Sequence, residues 1–211
     1  MSGIFIVPFI QPNLENKIIL DDVVTKVRDY FIKRDGLPIE NNTLRGQCEL
    51  SQAFTYYTLK NANIDVIPCN TKFFLFHRYK HAFALATIDN KEYLLDCTFQ
   101  QFCLTNYCNK ERYFLNNAPD PGYFLSLTPE GKHLMVQLMS RGYIRLTHPN
   151  AKLYGDAFVK STFLDEKDLK YNKNEIDNIQ GGNYITKMHI HKDTLKYTEE
   201  QVTSLGYNIP L

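Results

Sequence analysis

Tryptophan is absent from this 211-residue chain, whose aromatic content rests on 14 Tyr and 14 Phe. No indole N–H is therefore available as a donor at any site. Charge of one sign is also lacking: 24 Lys and Arg stand against 23 Asp and Glu, for a net charge of +1. A balance this close creates no whole-chain field to draw nucleic acid or an anionic membrane surface. No apolar run approaches the roughly 18 residues that mark a membrane-spanning helix. The phosphate-cradling pattern GxxxxGK[ST], the dinucleotide pattern GxGxxG and the zinc pattern HExxH do not occur, so nucleotide and metalloprotease chemistry have no motif behind them. CxxC is missing too, and the cysteines (Cys48, Cys69, Cys97, Cys103 and Cys108) are odd in number. That pattern indicates neither a disulfide framework nor a structural zinc site. Cys97, Cys103 and Cys108 are close enough in sequence to pair or bind metal, but their spacing is nonspecific and ordinary buried thiols are the expectation.

Apolar residues make up 44% of the chain, enough for a packed core. The length suits one domain, or a core with a small appendage. The opening stretch MSGIFIVPFIQPNLENK has no basic flank, is interrupted by Pro8 and has no small-residue cleavage site, so no secretory signal is expected. The expectation is a cytoplasmic protein, or one exported without a classical signal peptide.

Residues 1–16 read as an extended arm. Val23, Val24, Val27, Tyr30 and Phe31 recur at helical spacing and predict a helix over Asp21–Lys33, stopped by Gly36. Residues 37–45 read as a loop. A second helix is predicted from Gly46–Cys48 to Asn61, with Leu50, Phe54, Tyr57 and Thr58 on one stripe. Strands are expected at Ile64–Cys69, Lys72–Phe76, His81–Ile88 and Glu92–Asp96, the last two joined through Asp89-Asn90-Lys91. Residues 105–122 read as loop. Thr128 and Pro129 open another helix, with Leu134, Met135, Leu138 and Met139 as its buried stripe and Gly142 as its end. Residues 165–175 are highly charged and read as solvated. A short alternating piece lies around Tyr184–His191. Helices followed by several strands indicate an α+β fold, with a helix packed on an antiparallel sheet.

One constellation in this layout carries chemistry. Cys48 falls at a helix start, where partial positive charge and free N–H groups stabilise a thiolate and hold an oxyanion. A two-residue hairpin tip at Asp89-Asn90 places His81 opposite Thr98 and makes Asp96 its diagonal neighbour on the same face, whereas a bulged turn through Lys91 shifts the pairing by one residue and spoils this geometry. An imidazole and a carboxylate so placed form a base and its orienting partner. The bland alternative is a buried thiol, a surface histidine and a turn-capping aspartate.

Short motifs around these residues resemble those of the transglutaminase-like and papain-like cysteine enzymes. Gly46-Gln47-Cys48 matches the GQC about the nucleophile of transglutaminases. His81-Ala82-Phe83 resembles the HAW or HVW motif at the catalytic histidine. Tyr93-Leu94-Leu95-Asp96-Cys97-Thr98 resembles the W-x-x-L-D-P-T motif at the catalytic aspartate. The three occur in the family's order and span roughly residues 44–102. Cys97 stands where the family usually has Pro, and Phe83 where it often has Trp. The chain also lacks the Trp that holds the oxyanion in animal transglutaminases, and is far shorter than those calcium-dependent enzymes. The resemblance therefore points toward the small bacterial relatives, which include peptidases, glutamine deamidases and secreted toxins or effectors. It implies a catalytic triad of Cys48, His81 and Asp96 within a papain-like core at residues 1–104. Residues 105–211 would then be a C-terminal extension of the same domain, recognising substrate or partner. Papain-like enzymes often place an oxyanion-binding Gln six residues before the cysteine. Asn42 holds that position here, as a donor or as a plain loop residue.

The implied activity is hydrolysis of a protein carboxamide or peptide bond through a Cys48 acyl-thioester, with no cofactor and with a protein or peptide as substrate. Arg45-Gly46-Gln47-Cys48 is also similar to the Arg-Gly-x-Cys stretch of arylamine N-acetyltransferases, which leaves acyl transfer to a small amine open. An inactive protein-binding module of the same fold is the third reading. His189 and His191 share a strand face but have no third ligand in view, and Arg141, Tyr143 and Arg145 read as a solvated face.

Overall fold

The computed structural model describes residues 13–35, 44, 46–72, 80–99, 129–147, 149–151, 153–154, 191–192 and 195–209. Helix α1 spans Leu14–Asp35, starting seven residues before the expected Asp21 and taking in the end of the expected N-terminal arm. The reason is a local cap. Asn13 Oδ1 accepts the Asn16 N–H at 2.9 Å, satisfying one of the amides that a helix start leaves open. The first turns escaped the apolar periodicity because their apolar residues face water and their buried residue is the polar Asn16: Leu14 is 72% and Ile18 59% exposed, and the buried apolar stripe begins with Leu20, Val23 and Val24.

Helix α2 (Cys48–Asn61) starts and ends where the sequence places it. Strand β1 (Asp65–Lys72) runs through Asn70 and Thr71, between the strands expected at Ile64–Cys69 and Lys72–Phe76; residues 73–76 of the second lie outside the described residues. Pairing on both edges overrides the weak strand preference of Asn, since Asn70 lies opposite Ala82 on one side and His191 on the other. Strands β2 (Lys80–Ile88) and β3 (Lys91–Leu95) form the expected hairpin in the expected register, from Ile88 opposite Lys91 to Ala84 opposite Leu95. Asp89 and Asn90 both adopt positive φ (51° and 56°), the geometry of a two-residue turn that Asp and Asn tolerate. Helix α3 (Pro129–Arg141) ends at Gly142, whose φ of +73° breaks the helix and turns the chain into β4 (Tyr143–Arg145). Strand β5 (His191–Lys192) and helix α4 (Glu199–Ser204) follow, and residues 149–151 and 153–154 are helical as well.

The sheet order is β4-β3-β2-β1-β5, with every pair antiparallel. Both outer strands come from the second half of the chain. Period-two alternation splits the core in two. On one face, Ala86, Tyr93, Leu95 and Tyr143 meet α1, α2 and the C-terminal Val202 and Tyr207. On the other, Phe83, Leu94, Phe99 and Ile144 meet Leu134, Leu138 and Met139 of α3, with Tyr154. The architecture is therefore α+β, an antiparallel sheet with helices on both faces. Tyr143 corrects the expected solvated patch: it is fully buried, and its hydroxyl donates to Asp21 Oδ1 at 2.7 Å. Pairing with Leu95 turns its ring toward the core.

Two side chains lock the layers. Gln52, one turn beyond Cys48, donates through Nε2 to the carbonyls of Cys69 (2.6 Å) and Phe83 (2.8 Å), tying α2 to β1 and β2. Arg28 of α1 is buried and reaches the end of α3, donating to the carbonyls of Ser140 (2.8 Å) and Met139 (3.0 Å). Cations are favoured at helix C-termini, where terminal carbonyls lack partners within the helix. Among the described residues no helix is long and apolar enough to cross a membrane.

Candidate active site

Cys48 is the first residue of α2. The turn before it is made by Gly46 at φ +73°, a conformation that costs a residue with a Cβ about 1–2 kcal/mol. Gln47 precedes the helix without capping it by its side chain, whose Oε1 instead accepts from Arg34 Nη1 at 3.0 Å. The N-terminal end of α2 thus presents backbone amides beside the thiol, rather than a side-chain cap.

His81 lies near the start of β2, and Asp96 follows the last residue of β3. The ladder stops at Ala84–Leu95, short of the expected His81–Thr98 pairing, because the chain turns at Asp96, whose N–H donates to Gly142 O at 2.7 Å. The His81–Asp96 contact that the pairing would have produced forms without it. His81 Nε2 and Asp96 Oδ2 are 2.7 Å apart, and each residue is only 1% exposed. A charge-assisted bond of that length, out of water, fixes the ring and its orientation. With Nε2 facing Asp96, Nδ1 is the other ring nitrogen, and the His81 side chain and the Cys48 thiol shift each other's ionisation.

The electrostatics follow from these contacts. Burial alone would raise the Cys48 pKa, but the His81 side chain and the Ala82 N–H outweigh it and hold the thiol below its ordinary range. Burial likewise opposes charge on His81. The Asp96 carboxylate and the Cys48 sulfur more than offset it and lift the imidazole to about 10. The other two described cysteines behave oppositely: burial pushes Cys69 up to about 12 and raises Cys97 as well. The depressed thiol is thus a property of the Cys48 position, not of cysteines in this core.

Three residues absent from the sequence reading of the triad as supports meet Asp96 or its flank. Tyr154 donates its hydroxyl to Oδ2 at 2.9 Å, and Thr98 donates to Oδ1 at 3.3 Å. The positive charge of Arg28 acts on both Asp96 and Cys97. Thr98 lay inside a motif already singled out. Tyr154 and Arg28 are 58 and 68 positions from Asp96, and no local pattern connects them. At the rim, Lys196 pairs with Glu49, the residue after the thiol, bringing the C-terminal segment against the start of α2.

Asn42, Cys103, Cys108 and His189 lie outside the described residues, as do residues 37–43, 105–122 and 165–175; His191 lies in β5. Among the described residues no group of three His, Cys, Asp or Glu side chains is placed to hold a metal ion. No protein-family model, curated protein or solved structure matches this chain.

Proposed function

We propose that this chain is a thiol enzyme with a papain-like or transglutaminase-like core, acting on a protein carboxamide or peptide bond through Cys48, His81 and Asp96. The observation that carries the reading is one buried imidazole held by a carboxylate at 2.7 Å and acting electrostatically on a thiol at a helix start, whose ionisation it favours. These are the parts that nucleophilic catalysis by cysteine needs.

The chemistry runs in two halves. Cys48 passes its proton to His81 and attacks the carbonyl carbon, forming a C–S bond. The carbonyl oxygen takes up the electron pair and rests on backbone N–H groups at the start of α2. The tetrahedral centre then collapses, the C–N bond breaks, and His81 gives its proton to the departing amine or ammonia. Water attacks the resulting acyl-thioester, His81 takes the water proton, and the acid leaves as Cys48 is restored. A glutamine side chain as substrate gives deamidation and ammonia; a backbone amide gives proteolysis.

The test is the pH dependence of Cys48 alkylation by iodoacetamide, assigned by mass spectrometry, in the wild type and in His81→Ala. A Cys48 that reacts below the ordinary thiol range, faster than Cys69 and Cys97, and that loses this advantage in the variant supports the reading. Reaction only near the reference thiol pKa of about 8.5 would instead favour a binding module of the same fold. Release of ammonia from glutamine-containing proteins, against new peptide termini, then separates the two substrate classes.

A further inference from the structure

The contacts around Asp96 carry an inference beyond the three residues named above. Oδ2 accepts from two donors, His81 Nε2 at 2.7 Å and Tyr154 OH at 2.9 Å, while Oδ1 accepts from Thr98 at 3.3 Å. The Asp96 backbone is itself tied to Gly142 O at 2.7 Å. Rotation of the carboxylate would therefore break several bonds at once. The Tyr154 ring is held by the elements that carry the pair. It meets Phe83, two residues past His81, edge-on at 5.7 Å, and Phe99, three residues past Asp96, also at 5.7 Å. Burial and the Asp96 charge keep the phenol protonated far above its usual range, so it remains a donor while His81 titrates.

A buried tyrosine needs some acceptor for its hydroxyl, and any main-chain carbonyl would serve. Here it is aimed instead at the one oxygen that faces the imidazole. A second donor on that oxygen draws off part of the charge that would otherwise act on His81.

We propose that Tyr154 is a positioning residue of this site, fixing the Asp96 carboxylate and moderating its pull on His81 through the shared oxygen. Its catalytic meaning rests on the proposed thiol chemistry, but the effect itself resides in the imidazole and is measured there.

The experiment follows the His81 ring nitrogens and the Nε2–H proton by NMR across pH, in the wild type, in Tyr154→Phe, and in both again on an Asp96→Asn background. Loss of the phenol donor strengthens the remaining bond. The His81 midpoint in Tyr154→Phe is expected to rise by about half a unit to one unit, a fraction of the full value of a hydrogen bond to a charged group. The Nε2–H resonance moves downfield with it. On the Asp96→Asn background the same substitution has no such effect, because the charge it moderates is gone. An unchanged or lowered midpoint, or an equal shift without the Asp96 charge, overturns the proposal and leaves Tyr154 a packing residue. Should Tyr154→Phe fail to fold, 3-fluorotyrosine placed at position 154 gives a more acidic phenol of nearly the same volume. It should lower the midpoint, and an unmoved midpoint there is equally fatal. Because Cys48 alkylation decides the thiol-enzyme reading and imidazole titration decides this one, failure of either is distinguishable from failure of the other.

Discussion

Replacing His81 with alanine should convert Cys48 from the most reactive described cysteine into an ordinary buried one. Four influences act on the thiol: burial and the Asp96 charge against its ionisation, and the His81 side chain and Ala82 N–H for it. His81→Ala removes the strongest favourable one and leaves the burial. A hydrogen bond to a charged group contributes about 1.5–3 kcal/mol, or about one to two units of thiol pKa. Each unit lowers the thiolate fraction tenfold on the acid side of the limb, but the more basic thiolate is intrinsically more nucleophilic. With a Brønsted coefficient of about 0.4–0.5 the net loss is about 3- to 4-fold per unit. The variant should therefore react about 3- to 20-fold more slowly with an alkylating or disulfide reagent at acidic pH, and its limb should move toward higher pH. Quenched time courses with peptide mapping measure this for Cys48, Cys69 and Cys97 in one sample. Equal Cys48 rates in the two proteins at every pH would refute the coupling, because the wild-type thiol would then owe nothing to the imidazole.

Asp96→Asn should remove most of what lifts His81 to about 10 from its usual 6.5. A raised folded-state value stabilises the fold fully below the unfolded value, and the benefit is lost as pH climbs through the folded one. The stability advantage of wild type over Asp96→Asn in urea unfolding is therefore expected to be largest near and below pH 6.5 and to shrink toward pH 10. Arg28→Met leaves the terminal carbonyls of α3 without their buried donor and should cost about 3–5 kcal/mol, read as a fall in the urea midpoint. Gly142→Ala places a Cβ 2.8 Å from Val24 Cγ1 on a backbone at φ +73°. Strain and overpacking together predict a loss of about 2–5 kcal/mol by the same measurement.

The legibility of the fold tracks how local each determinant is. The α2 boundaries, the β2–β3 register and the end of α3 follow from short patterns: an apolar stripe, two residues that tolerate positive φ, and a glycine. Where the reading departed from the structure, a distant partner decided. Strand β1 continues through Asn70 because β2 and β5 pair with it from either side. Tyr143 is buried because β4 joins β3. The start of α1 rests on a cap at Asn13, hidden behind turns whose apolar residues face water.

The same division runs through the site, and it bears on how the site works. Cys48, His81 and Asp96 were legible because a helix start and a hairpin register place them. The groups that balance them come from α1 and from the chain beyond α3. Asp96 and Arg28 bring one buried charge of each sign to this region, and Arg28 carries no buried carboxylate of its own among its described contacts. Arginine stays protonated even when burial opposes it, so the two sum to zero. Proton transfer from Cys48 to His81 then exchanges a neutral pair for an ion pair without changing the net charge of the buried region. With Arg28 absent, the region would hold net negative charge in either state, a cost that low-dielectric surroundings make steep. Arg28 brings a compensating positive charge to the region of Asp96, the carboxylate favours charge on His81, and His81 favours ionisation of Cys48. The chain of influence runs from a helix-capping arginine to the sulfur, so Cys48, His81 and Asp96 are readable from three short motifs while some of the charges acting on them come from residues far from those motifs.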